Sequence, residues 1–299
     1  MPHVVFVGYT GQVATELRCM QLPAGWVSTS VGQSQLGLAN LDQVWNLLRQ
    51  HRPDVLINAA AFTAVDEAEE KQHLAMQMNA EMPAELAKFA SAQNIPFLHI
   101  SSGHVFDGIG GMPWSEGDEK IPINVFGRSM LAGEYAVLKS DARSVILRTS
   151  WVFSPYGNNF VKTMLRLGKE RERLSIVADQ HGGPTPASEI ASTLIKIAQK
   201  LVDPASSDDH LGVYHFSGTP RTTWADFAEA IFEQADWLDR KPEIIRISMK
   251  DRPMPAARPR YSVLNCSKIE RDYGIEQPDW HEGLARTLEQ LRPQVVQSK

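Results

Sequence analysis

The stretch HVVFVGYTGQVATEL, residues 3–17, decides the fold. Val4–Val7 is a short all-apolar run of the kind that a strand buried in a parallel sheet requires. Gly8-Tyr9-Thr10-Gly11 breaks that run, and Val13, Leu17 and Met20 then recur at helical spacing. Strand, glycine turn and helix open a dinucleotide-binding unit, where glycines let the backbone approach a pyrophosphate at the helix N-terminus. Two glycines alone would suit any tight turn, so their meaning comes from the flanking strand and helix. Three residues beyond Gly11 stands Ala14, which is small enough for close helix-to-strand packing.

The alternation continues outward. The pattern predicts a helix near 41–51, a strand at Val55–Asn58, a helix near 72–92 and a strand at Phe97–Ser101. A helix near 127–139 and a strand at Ser144–Thr149 follow. Apolar strands alternating with helices imply an α/β protein with a doubly wound, Rossmann-like parallel sheet. Past Trp151 the rhythm loosens through Ser154–Asn159, a helix near 159–171 and a Gly-Gly-Pro-Thr-Pro turn at 182–186. A helix at about 187–201 and a strand near Gly212–Ser217 return to the sheet, and a Pro-rich tract runs from Arg252 to Arg260. The expected division is a dinucleotide-binding lobe of 1–152 and 187–218, with a smaller, discontinuous substrate lobe of 153–186 and 219–299.

Composition narrows the function classes. The chain has 299 residues, 43% hydrophobic and 22% charged, as an ordinary globular protein does. A formal net charge of -5 and the lack of a Lys/Arg-rich run argue against nucleic acid. The N-terminus does not read as a secretory signal and no segment reads as a membrane span, which points to the cytoplasm. Cys19 and Cys266 have neither CxxC spacing nor a His cluster, so no metal site is expected and both read as reduced thiols.

Candidate site residues gather where strands end, because open α/β sheets bind ligands at that edge. Asn58-Ala59-Ala60-Ala61 closes one strand with small residues, which suit either a cofactor or close helix packing. Ile100-Ser101-Ser102-Gly103-His104 closes the next and puts a hydroxyl and an imidazole at the edge. Ser102 could instead satisfy a loop backbone, and His104 could be held in a turn. Trp151 follows Arg148-Thr149-Ser150 and reads as core or as a platform in the cleft. Asn158-Asn159-Phe160 reads equally as a helix cap or a ligand contact. Around Trp26–Ser30 no Asp or Glu marks the ribose contact that selects NAD, so NADP and NAD both stay open.

Taken together these pieces resemble the extended short-chain dehydrogenase/reductase superfamily and, within it, the dTDP-4-dehydrorhamnose reductase family. The stretches that carry the resemblance are GYTGQVATEL at 8–17, RPDVLINAAAFTAVDEAE at 52–69, SSGHVFDG at 101–108 and LAGE at 131–134. RTSWVF at 148–153, NNFVKTMLRL at 158–167, DQHGGPT at 179–185 and ARP at 257–259 extend it through nearly the whole chain. The resemblance implies NADP- or NAD-dependent reduction of the C4 ketone of a dTDP-6-deoxyhexulose, toward dTDP-rhamnose. It implies cofactor contacts from Gly8, Thr10, Gly11, Gln12, Val13, Ala60, Ala61 and Thr63, and substrate contacts from Ser102, Gly103, Trp151 and Arg258. The implied partner is a dTDP-sugar, with a homodimer or a regulatory protein partner left open.

The departures from the family fall on its chemistry. In the superfamily a Tyr-x-x-x-Lys pair on one helix face supplies the proton and holds the nicotinamide ribose, the ammonium lowering the phenol pKa from about 10. In INVFGRSMLAGE, residues 123–134, the Tyr position is Phe126 and the Lys position is Met130. The family's Ser-Thr-Asp-Tyr is Ser101-Ser102-Gly103-His104 here, and an Asp expected at Gly37 is absent. The catalytic positions are therefore Ser102, His104, Phe126 and Met130, with His104 the one nearby titratable substitute donor. Two readings follow: a divergent ketoreductase with impaired activity, or a non-catalytic homologue that binds a nucleotide or sugar nucleotide. A changed substrate, such as an isomeric ketosugar, is a third.

Overall fold

A computed structural model describes residues 1–32, 41–205 and 207–296. Six parallel strands form its central sheet: β1 (His3–Val7), β2 (Val27–Val31), β3 (Val55–Asn58), β4 (Phe97–Ser102), β5 (Ser144–Thr149) and β6 (Gly212–His215). Their order is β6-β5-β4-β3-β1-β2. From β1 the chain winds first to β2 on one side and then to β3 on the other, so the direction reverses beside the carboxyl end of β1. The principal helices are α1 (Gln12–Cys19), α2 (Leu41–His51), α3 (Val65–Glu70), α4 (Met82–Gln93), α5 (Val125–Leu138), α6 (Phe160–Glu170), α7 (Ala187–Val202), α8 (Trp224–Gln234) and α9 (Trp280–Val296).

Alternate residues of each strand feed opposite faces. Val4, Phe6 and Ile57 pack with Leu17 of α1 and Leu194 of α7, whereas Val5, Val7 and Leu56 pack with Leu48 of α2 and Leu86 of α4. Both faces are thereby covered, which is why these strands read as continuous apolar runs. A third apolar cluster joins Val161 and Leu165 of α6, Phe227 and Ile231 of α8, and Leu284 and Leu288 of α9. Arg173–Val177 pairs in parallel with Glu243–Ile247, tying two distant stretches of chain together on this side.

Two expected helices differ from their sequence reading. The helix expected near 72–92 is interrupted: Gln72–Met76 passes through a π turn at Gln77–Glu81 before α4, where Pro83 stands in the first turn. The extra residue of a π turn breaks the 3.6-residue period without an apolar signature. It serves Asn79, whose Oδ1 accepts from Phe62 N at 2.7 Å while its Nδ2 donates to Phe62 O and to Ser129 Oγ. The helix expected near 127–139 starts earlier, at Val125, because Asn124 Oδ1 accepts from Gly127 N at 2.7 Å as its cap. Among the described residues no helix is long and apolar enough to cross a membrane.

Candidate functional site

The glycine turn lies at the reversal point of the sheet. Gly8 has φ +123°, a conformation that L side chains rarely adopt, and a Cβ there would stand 3.2 Å from Ala14 Cβ, Ala59 C and Ala60 N. Ala59 N donates to Val7 O at 2.8 Å, which keeps the β3 exit against this turn. Gly11 caps α1 without a side-chain bond, and Tyr9, Thr10 and Gly11 are exposed. The turn is therefore an open cradle of backbone amides at a helix start, the shape and polarity a pyrophosphate requires. Ala60 and Ala61 line the β3 exit with Thr63 exposed beyond them.

Gln12 has another task for its side chain. Its Nε2 donates to Val152 O at 3.3 Å, and its Oε1 accepts from Ser154 Oγ at 3.0 Å and Asn159 Nδ2 at 2.9 Å. Asn159 also caps α6 by accepting from Lys162 N at 3.1 Å. Gln12 thus fastens the start of α1 to the segment after β5 and has only its backbone left to offer a cofactor. Val13 is buried in the core beside it. Gly37, where the family has an acid, lies outside the described residues.

A cavity of about 480 Å³ opens beyond the strand ends, lined among others by His104, Trp151, Phe160, Trp224, Met254 and Arg258. Trp151 sits at φ 48°, uncommon for a residue with a side chain, and its ring stacks on Trp224 with centroids 3.5 Å apart at 9°. A Cβ on Gly182 would overlap the Trp151 ring. Trp151 is held by its neighbours, and Trp224, which sequence reasoning missed, completes the aromatic wall. Phe160 tilts against Trp224 with centroids 4.6 Å apart.

Arg258 reaches the cavity already paired. Its Nη2 donates to Asp66 Oδ2 at 2.7 Å, and Asp66 Oδ1 also accepts from Ala256 N at 3.1 Å. Three residues on, Glu69 Oε1 accepts from Val125 N at 2.8 Å. One turn of acidic helix therefore holds both the 256–258 loop and the start of α5, a role the AVDEAE stretch did not disclose.

Ser102, Gly103 and His104 form a tight turn at the end of β4. Ser102 Oγ accepts from His104 N at 3.2 Å, which fixes the oxygen in the turn while its O–H stays a donor. Gly103 is buried against Leu264. The His104 ring meets Phe126 edge-on, with centroids 5.3 Å apart at 75°. Its Nδ1 is 3.1 Å from Asn124 Nδ2. Burial and the nearby Arg258 charge push its pKa down to about 4. Phe126 and Met130 are 6% and 2% exposed and pack with Val125 and Leu131 in the apolar core. The ring and stem are present at the two positions, without a proton or a charge.

A buried ion pair joins α5 to β5. Arg148 donates to Glu134 through Nε at 2.8 Å and Nη2 at 2.6 Å, with both side chains nearly inaccessible. Ser101 Oγ donates to Glu134 Oε1 at 2.5 Å, and Arg148 Nη1 contacts His215 Nε2 at 3.3 Å. This pair explains why Glu134 ends LAGE and Arg148 opens RTSW: each satisfies the other where water cannot reach. Among the described residues no cluster of three or more His, Cys, Asp or Glu could hold a metal ion.

Comparison with known proteins agrees along the whole chain. The family described as the RmlD substrate binding domain matches residues 2–293. A dTDP-4-dehydrorhamnose reductase of Sinorhizobium fredii is 40% identical over 282 residues, covering 94% of this chain and 95% of its own. The crystal structure of a dTDP-4-dehydrorhamnose reductase from Bacillus anthracis in complex with NADP superposes with TM-score 0.89 at 34% identity, covering 97% of this chain and 100% of that one. The enzyme of the same name from Clostridium acetobutylicum also gives TM-score 0.89, at 31% identity over 97% of this chain and 99% of its own.

Proposed function

Because the chain belongs to the RmlD substrate binding domain family, we propose that it is an NADP(H)-dependent reductase of the C4 ketone of a dTDP-6-deoxyhexulose that works without the usual proton-donating pair. The observation that carries this reading is the cavity itself. It is lined by the Trp151–Trp224 aromatic wall, the Arg258 guanidinium and His104, whose ring meets Phe126 edge-on. Relatives 40% and 34% identical are named dTDP-4-dehydrorhamnose reductases, and the second was solved with NADP.

The residues present suit the cofactor. A Cβ at Gly8 would crowd the cradle, and the sequence from Ser28 through the end of β2 to Asn40 contains no Asp or Glu to repel a 2′-phosphate. Gly8, Thr10, Gly11 and the backbones of Gln12 and Val13 would hold the pyrophosphate, with Ala60, Ala61 and Thr63 along the other side. Bound there, NADP(H) supplies the hydride. Trp151 and Trp224 orient the sugar nucleotide and keep bulk water from one side, and Arg258, steadied by Asp66, faces the diphosphate. In this division residues 1–152 and 187–218 carry the cofactor, and 153–186 and 219–299 carry the sugar nucleotide.

Hydride acceptance leaves negative charge on the ketone oxygen, and a positioned general acid ordinarily accelerates such a step by about 10²–10⁴-fold. Phe126 cannot supply that proton and Met130 cannot hold a ribose by charge, whereas Ser102, whose Oγ accepts from His104 N, keeps its O–H as a hydrogen-bond donor to the ketone but is a far weaker acid than the missing phenol. The reaction is correspondingly slow. Mixing the purified protein with NADPH and the ketosugar tests this: ketosugar-dependent loss of NADPH is expected, and its complete absence overturns the reductase reading. The burial of two apolar side chains at the chemical positions favours a second reading, a non-catalytic sugar-nucleotide-binding homologue. Intact binding of dTDP and NADPH without any turnover supports that alternative.

A further inference from the structure

We propose that Asn124 is a positioning residue that holds His104 in its neutral Nε2–H tautomer, so that the imidazole offers the cavity a hydrogen-bond donor beside the position where the phenol is missing. The inference rests on the ketoreductase reading for its purpose, but not for its geometry.

Asn124 is 1% exposed, and its amide has three neighbours that fix its orientation. Its Oδ1 accepts from Gly127 N at 2.7 Å, and its Nδ2 donates to Ala257 O at 2.7 Å. Reversing the amide would set Nδ2 against an N–H and Oδ1 against a carbonyl, losing both bonds and opposing like dipoles. Nδ2 therefore faces His104 Nδ1 at 3.1 Å, and a donor there requires a lone pair on the ring nitrogen. The proton of the neutral ring is then on Nε2.

Nε2 has no partner among the described residues and, unlike His99 Nε2, is not sealed away from the surface. His104 itself lines the cavity. The charge that acts on it is Arg258, one residue beyond the Ala257 carbonyl that Asn124 grips and itself paired with Asp66. Asn124 thus connects the start of α5, the ring and the 256–258 loop in one buried contact. The Phe126 ring meets the imidazole edge-on.

A neutral Nε2–H stabilises charge on a ketone oxygen by hydrogen bonding, as an oxyanion donor does, and keeps its proton. The carbonyl carbon gains hydride, the C=O electron pair moves to oxygen, and the proton that completes the alcohol comes from solvent water. Turnover should therefore not follow an imidazolium titration between pH 6 and 8.

Histidine side-chain ¹⁵N NMR on the full chain decides the matter, with His104→Gln identifying the His104 resonances among nine histidines. The natural protein should show unprotonated Nδ1, protonated Nε2 and a titration midpoint near 4 in place of the ordinary 6.5. Asn124→Asp keeps an oxygen to cap Gly127 but turns a carboxylate toward Nδ1. It should move the proton there, raise the midpoint above 6.5 and make the rate of ketosugar reduction fall as pH rises through that midpoint. An Nδ1–H tautomer in the natural protein, or an Asn124→Asp ring unchanged in tautomer and midpoint, overturns the proposal. Because the natural protein's tautomer is read directly, a variant that fails to fold does not shield it. The expected spectra without any ketosugar turnover would leave the positioning role standing and remove the reductase reading.

Discussion

The His104 imidazole, which lines the aromatic-walled cavity, meets the Phe126 ring edge-on with 5.3 Å between centroids. The group best placed to assist a ketone thus leans on the residue that lacks the phenol. Replacing His104 by Phe should lower ketosugar-dependent NADPH oxidation by about 10²–10³-fold, the usual cost of one oxyanion donor. His104→Gln, which retains an N–H donor, should lose less. Equal rates for His104→Phe and the natural protein would remove His104 from the chemistry.

Met130 is 2% exposed and packed among apolar side chains. Met130→Lys puts an ammonium in that setting with no carboxylate assigned to it, and should destabilise the cofactor-free protein by at least about 1–3 kcal/mol. If this helix face borders the nicotinamide ribose, NADPH should raise the melting temperature of the variant more than that of the natural protein. A variant as stable as its parent, and indifferent to NADPH, would place Met130 away from the cofactor.

Glu134 and Arg148 are bidentate and buried, at 2.8 and 2.6 Å. Removing one partner leaves the other charged without solvent, so Glu134→Ala and Arg148→Ala should each cost about 3–5 kcal/mol in chemical denaturation. Replacing both by apolar residues should cost less than the sum. Independent, additive losses would show that the pair does not act as a unit.

Three histidines set the acid limit of stability. Burial pushes His99 and His104 down to about 4, and burial with the Arg148 charge pushes His215 to about 3. Each therefore takes up its proton more readily unfolded, near 6.5, than folded. Their contribution is complete above 6.5 and drains as pH falls toward 4, at up to about 1.4 kcal/mol per pH unit for each ring. Asp179 and Asp226, with pKa values held below the carboxylate norm by hydrogen bonds that outweigh desolvation, add their loss only at lower pH. Melting temperature should be level from pH 8 to 7 and drop between 6.5 and 5. A level curve down to 5 would contradict the neutral, buried rings.

Local pattern carried the first half of the chain. The apolar run of β1, the Gly8 turn, the strand ends at Asn58 and Ser102, and the two replaced positions on α5 all lie within a few residues of their own signal. Gln12 shows where that stops. Its side chain is spent on Val152, Ser154 and Asn159, a contact across some 140 residues that no periodicity encodes. Glu134 and Arg148 were visible as motif ends, yet their pairing depends on how α5 crosses β5. Trp224 went unnoticed because α8 buries one face on a cluster assembled from distant segments, and the π turn at Gln77–Glu81 left no mark in the apolar spacing. Asn124 went unread as the cap of α5, and only the fold brings His104 and Ala257 to it.

The most direct measurement compares steady-state NADPH oxidation with the ketosugar for the natural protein and for Phe126→Tyr/Met130→Lys, alongside NADPH binding to both. The account predicts that the natural protein binds NADPH and turns over slowly, and that the double substitution raises kcat/KM by about 10²–10⁴-fold by restoring a positioned acid and a ribose contact. A natural protein as fast as the double variant would contradict it, because the two replaced side chains would then have cost the chemistry nothing.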